Sequence, residues 1–135
     1  MPTNLTIGCF LVEWDSHLLN WQDAKDTCTA LGGALVQIRN HKMSNCLRDW
    51  LYKNMDTYGD LWIGLFDYTN TGSVHVTNYG WTDGTMLTSD IFQNWASGEP
   101  NYGGKCGQLW KATGYGWDND RCDILKQFLC EYDVC

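Results

Sequence analysis

The sequence predicts an α+β domain. Three observations point there. Two stretches in the first half carry apolar residues at three–four spacing, short apolar runs of strand length follow, and a long stretch with no clear period separates the later runs. At 135 residues the chain is expected to form one domain, 1–135, around a single core.

The elements follow in order. Ile7 to Trp14 is apolar or aromatic except for Glu13 and reads as a strand. Asn20 is a good N-cap for a helix from Trp21 to Leu31, in which Trp21, Ala24, Cys28 and Leu31 form the inward stripe. Gly32-Gly33 stops it. Ala34 to Ile38 is a short strand or extended link, and Asn40 caps a second helix reaching about Asn54. Met43, Leu47, Trp50 and Leu51 make its buried stripe, with Cys46 at the edge. Leu61 to Leu65 is a compact apolar run, expected to be a buried strand. Asp67 to Asn78 is polar and turn-rich, and Trp81-Thr82-Asp83-Gly84 ends a short strand in a turn. Thr85 to Gly104 reads as long loop structure, which in a compact domain is usually functional. Gln108 to Trp110 and Phe128 to Glu131 are short strands.

Composition narrows the function. The formal charge is −7 and no basic stripe exists, which argues against nucleic acid. No run of eighteen apolar residues is present, so no membrane span is expected. Seven cysteines suggest an oxidising compartment, and Asn4-Leu5-Thr6 is a glycosylation sequon. No charged-then-apolar leader opens the chain, so a mature secreted, extracellular chain is expected. None of the cysteines forms C-x-x-C and the three histidines are scattered, which argues against zinc.

The stretch Trp95 to Cys106 carries the chemistry. Gly98, Pro100, Gly103 and Gly104 rule out a regular element. Glu99 and Asn101 flank Pro100, so a carboxylate and an amide on a stiff turn aim two oxygens at one point. That suits calcium, which takes six to eight oxygen ligands. A second oxygen cluster, Asp118, Asn119 and Asp120, follows Trp117. Outside any binding site, these would be solvated loop polars. Glu99 and Asp118 can also be read as an acid–base pair for glycoside cleavage. No nucleophile–base–orienter pattern and no phosphate loop is present, and ion ligation explains the same carboxylates, so no enzyme is expected.

The chain resembles a C-type lectin-like domain. The matching residues are Cys28, Trp62-Ile63-Gly64-Leu65, Trp81-Thr82-Asp83-Gly84, Glu99-Pro100-Asn101, Cys106, Trp117, Cys122 and Cys130-Glu131, in family order across nearly the whole chain. The resemblance implies a fold of two helices, short antiparallel sheets and a long disulfide-stapled binding loop. It implies the disulfides Cys28–Cys130 and Cys106–Cys122. It also implies a cis peptide before Pro100, with Glu99 and Asn101 each ligating calcium and bonding a sugar hydroxyl. Glu-Pro-Asn implies equatorial 3- and 4-hydroxyls, as in mannose, glucose or N-acetylglucosamine, and fucose offers an equivalent pair.

Two departures stand out. The family usually has Glu two residues before the cysteine assigned to Cys106; here Gly104 and then Lys105 follow a shortened loop. The family's Trp-Asn-Asp is Trp117-Asp118-Asn119 here, or, with a slip of one, Asn119-Asp120. Calcium binding is therefore expected to be weaker than in typical members. Metal ligands are expected among Glu99, Asn101, Asp118, Asn119 and Asp120. Sugar contacts are expected from Glu99, Asn101, Asp118 and Asn119, with Tyr102 stacking and Lys105 nearby. Trp62, Trp81, Trp95 and Trp117 are expected to be anchors of core and loop.

Three cysteines remain. In this fold the terminal strands are antiparallel neighbours, which makes Cys9–Cys135 sterically plausible. Cys46 is then the odd one, expected to bridge two subunits in a disulfide-linked homodimer, or else to be a buried thiol. The expected function is a calcium-dependent lectin whose partners are glycans. A protein-binding module with a decayed calcium site is the alternative.

Overall fold

A computed structural model describes residues 4–7 and 10–133. The chain forms, in order, β1 (Asn4–Ile7), β2 (Phe10–Leu19), α1 (Trp21–Ala30), β3 (Ala34–Leu35), α2 (His41–Lys53), β4 (Leu61–Asp67), β5 (Tyr79–Trp81), β6 (Cys106–Trp110), β7 (Gly116–Asp120) and β8 (Lys126–Asp133). Local chemistry sets both helix starts. The Asn20 side chain accepts from the Asp23 N–H, and Asn40 from the Met43 N–H, each at 2.8 Å. Gly32 takes a positive φ of 88°, and its N–H and that of Gly33 bond back to α1 carbonyls, ending the helix.

The strands join in the order β1-β2-β8-β4-β6-β7, with β3 added to β8 and β5 to β4. All these pairings are antiparallel except β4 with β8. β2 runs against β8, so the second strand and the last described strand are neighbours, with β1 outside them. Cys9 and Cys135 lie outside the described residues, and the predicted bridge between them lies there too.

Apolar side chains fill both faces of the central strands. One cluster joins Met43, Leu47, Trp50 and Leu51 of α2 to Leu61, Ile63, Leu65, Trp81, Leu109 and Trp117. The other joins Trp21, Ala24 and Cys28 of α1 to Leu35, Trp62, Phe128 and Cys130. Cys28–Cys130 and Cys106–Cys122 are both disulfides, the first between α1 and β8, the second between β6 and the segment after β7. On β8, Glu131 is 4% exposed and is gripped by Arg39 at 3.0 and 3.1 Å and by the Gln37 N–H at 2.6 Å. Burial pushes the Glu131 carboxyl up, and its bonds to Arg39 offset only part of the rise.

Four expectations change. The first strand is not one run from Ile7 to Trp14: β1 stops at Ile7, and β2 continues to Leu19 through a register shift after Asp15. Leu31 caps α1 and is 60% exposed instead of joining the inward stripe, because the helix ends at Ala30. Gly116–Asp120, not assigned as a strand from the sequence, is β7. Its polar residues hid it, since Asp118 and Asn119 are buried by function of the loop above and not by their own hydropathy. Cys46 is a free, exposed thiol on α2, not a buried one.

Candidate functional site

The loop after β5 returns to the sheet at Asn94. There the Trp117 N–H bonds the Asn94 carbonyl and the Ala96 N–H bonds the Trp117 carbonyl, both at 2.8 Å, forming a short parallel contact with β7. Trp95 packs edge-on against Trp117 and Tyr79, so the tryptophans expected to be anchors act as anchors. Gly98 then turns the chain with φ of 80°, a conformation that glycine adopts without strain. The Glu99–Pro100 peptide is cis. Pro100 is buried, Glu99 half-buried and Asn101 exposed.

The parallel contact sets Glu99 against Asp118. Asp118 is buried on β7, and one of its oxygens, Oδ2, accepts from Gln108 Nε2 at 2.7 Å. Glu99 Oε1 is buried and has no hydrogen-bond donor, and Oε2 takes only the Asn101 amide at 3.2 Å. Burial, followed by hydrogen-bonding contact with the Asp118 carboxyl and repulsion from its charge, pushes Glu99 up to about 7.

Asn119 points the other way, beneath the loop. Its Nδ2 donates to the Asn101 carbonyl at 2.7 Å, the Gly104 carbonyl at 2.8 Å and the Tyr79 hydroxyl at 3.0 Å, while its Oδ1 accepts the Asn101 N–H at 2.9 Å. Tyr79 bonds the Ser73 carbonyl at 2.9 Å, and Asp67 takes the Ser73 and Thr69 N–H groups. Burial raises the Asp67 carboxyl, but hydrogen bonds from Thr69, Ser73 and Thr71 outweigh it, and its pKa is lowered. Burial, chiefly, pushes Tyr79 up to about 12, so it stays a neutral donor. Neither Asp67 nor Tyr79 stands out in the sequence, because each sits at the end of an ordinary strand.

The structure brings Glu99, Asn101, Asp118 and Asn119 together. Asp120 turns away to Lys126 at 2.9 Å. Tyr102 is 85% exposed beside the triplet. Lys105 is half-buried, and its carbonyl accepts the Asp67 N–H. Tyr115 is fully buried and offers no face to a sugar.

Gly104 has a steric explanation. A Cβ there would lie 2.0 Å from the Asp120 carbonyl carbon and oxygen, which no side chain tolerates. The short loop rests directly on the β7 backbone and leaves no place for the family's second glutamate. Among the described residues no three His, Cys, Asp or Glu side chains gather as a metal cluster. The donor set is two carboxylates and neighbouring amides. The buried, unpartnered Glu99 Oε1 facing a second carboxylate fits a hard cation. As placed, Asn101 Oδ1 accepts the Gly103 N–H at 2.6 Å, so its amide must turn over to ligate.

Comparison with known proteins gives the context. A family model described as Lectin C-type domain matches residues 17–132. Layilin of Homo sapiens is 29% identical over 131 residues, covering 87% of this chain and 34% of layilin, so the chain spans about a third of that relative's length. The mouse scavenger receptor C-type lectin carbohydrate-recognition domain superposes with a TM-score of 0.77 at 23% identity, covering 99% of this chain and 96% of that one. A calcium-independent type II antifreeze protein superposes with a TM-score of 0.71, also at 23% identity, covering 100% and 95%. At those identities the solved structures share the fold alone.

Proposed function

Because the chain belongs to the C-type lectin domain family, we propose that it is a secreted, calcium-dependent lectin for glycans of the mannose, glucose, N-acetylglucosamine or fucose type. The observation that carries this reading is the cis Glu99–Pro100 turn, which lays a carboxylate with a buried, donorless oxygen against Asp118. Two acids forced together cost stability unless a cation or a proton separates them. Glu99, Asp118 and a turned Asn101 hold the ion, and Asn119 fixes the loop that carries two of them. Calcium supplies a Lewis-acidic anchor for vicinal hydroxyls. Glu99 accepts from a sugar hydroxyl, Asn101 donates to one, and Tyr102 offers an apolar ring face.

Binding to a glycan array in calcium and again in EDTA tests the proposal. Signal on mannose-, glucosamine- or fucose-bearing glycans that EDTA abolishes is the expected result. No signal in either buffer overturns it.

A second reading is a protein-binding module that needs no calcium. Gly104 favours it, since the packing excludes a family ligand, and a calcium-independent antifreeze protein shares the fold. Absence of calcium binding by calorimetry would select it.

The exposed Cys46 supports a disulfide-linked homodimer. Two shallow sites on one covalent dimer recover avidity that one lacks. Non-reducing electrophoresis is expected to show a dimer that C46S abolishes.

A further inference from the structure

The oxygen set around Asp118 is one ligand short at Gly104, and another residue is built to fill it. Gln108 lies directly across β6–β7 from Asp118 in the strand register. It is only 3% exposed, although a glutamine has no reason of hydropathy to be buried. Its Nε2 donates to Asp118 Oδ2 at 2.7 Å, but its Oε1 is buried and has no hydrogen-bond partner in the protein. Glu99 Oε1, on the carboxylate that also meets Asp118, is buried and donorless as well. Asp118 therefore meets two side chains with orphaned acceptors. Buried acceptors are nearly always satisfied, and a pair of exceptions around one carboxylate calls for an electron-poor guest.

Resting on the calcium reading above, we propose that Gln108 is a ligand of the same ion, its side-chain carbonyl supplying the oxygen that Gly104 cannot. Hard cations take neutral amide carbonyls as well as carboxylates. With no cation, the Gln108 amide presents its NH2 to Asp118 and stands in for the positive charge. When the amide turns over, Oε1 takes the place of Nε2, and Asp118 Oδ2 is released to the ion at the same time. Oxygens that would repel each other in the empty site are held together by the charge between them. The exchange replaces a missing acidic ligand with a neutral one, which lowers the site's charge and favours reversible over tight binding.

Terbium, which occupies oxygen sites made for calcium, provides the test, because its luminescence decay in H2O and D2O counts the waters left on the ion. If Gln108 is a ligand, Gln108→Met gains about one bound water and loses roughly tenfold in affinity, in keeping with the dependence of affinity on ligand set. Gln108→Glu restores the oxygen, returns the water count to that of the wild type and tightens binding. An unchanged water count in Gln108→Met, or a Gln108→Glu protein that behaves like it, overturns the proposal while leaving the calcium reading intact. Failure of the wild type to bind terbium or calcium overturns both. The wild type gives a measurement that does not depend on how the variants fold. The side-chain amide resonances of Gln108 should shift on adding calcium, and resonances that stay in place overturn the assignment.

Discussion

Two glutamates, one buried and one half-buried, divide the molecule. Glu131, on the last strand, is enclosed by Arg39 and the Gln37 N–H, and its oxygens are satisfied. Glu99, on the loop, faces another acid and keeps one oxygen without a donor. Burial raises both carboxyls; at Glu131 a guanidinium opposes the rise, and at Glu99 a neighbouring acid adds to it. The first arrangement has nothing left to bind. The second is incomplete as protein and becomes complete only with something positive. Burial of a charge therefore does not distinguish structure from function, whereas what the charge is left facing does.

The comparison can be broken by exchanging the two ends' supports. The largest effect should come from the Glu131 end. Replacing Cys28 and Cys130 by alanine opens a loop of 102 residues and should cost about 4.7 kcal/mol in the chain-entropy account. Denaturant unfolding measures this, and calcium affinity per folded molecule should change little. Replacing Cys106 and Cys122 opens a loop of 16 residues, costs about 3 kcal/mol on the same account, and should weaken glycan binding as well.

Next come the glutamates themselves. Glu131→Gln weakens a charge-assisted contact and should cost about 1.5–3 kcal/mol in stability, with glycan binding intact. Glu99→Gln should do the reverse: calcium-dependent binding falls by at least about tenfold, while calcium-free stability at neutral pH rises. A Glu99→Gln protein that unfolds more easily in EDTA would dissolve the contrast.

The pH dependence sharpens it further. Glu99's carboxyl is raised from 4.5 to about 7 in the folded, cation-free state. Its contribution to stability is therefore fully present below the ordinary carboxylate range and is lost as pH rises through about 7. Thermal unfolding in EDTA should show the wild type losing stability over that window relative to Glu99→Gln. Calcium affinity should run oppositely, increasing as Glu99 loses its proton. The smallest effect is expected at Tyr102, which is 85% exposed. Tyr102→Ala should leave stability within about 0.5 kcal/mol and reduce glycan affinity by about 1 kcal/mol or less.

Much of this was legible where local chemistry decides the outcome. Asn20 and Asn40 announce both helices because an amide cap satisfies orphan N–H groups whatever the rest of the chain does. The stripe of α2 and the Leu61–Leu65 run follow from periodicity. β7 was not legible, since Asp118 and Asn119 interrupt any apolar pattern and are buried only because the loop folds over them. The same holds for the site. Glu99 and Asn101 could be named from Pro100 and the glycines around it. Asn119 as an internal strut, Tyr79 beneath it and Gln108 across from Asp118 depend on strand register, which spacing along the chain does not encode.

The contact of Gly104 with the β7 backbone imposes an order on change. No single substitution at that position can return a carboxylate, because even a methyl group would overlap the Asp120 carbonyl. An insertion that lifts the loop must come first, and it would have to detach the Asn119 amide from the Gly104 carbonyl on the way. The short loop therefore acts as a ratchet: a lineage or an engineer seeking a tighter calcium site reaches it sooner by working from the opposite strand than by reversing the loss.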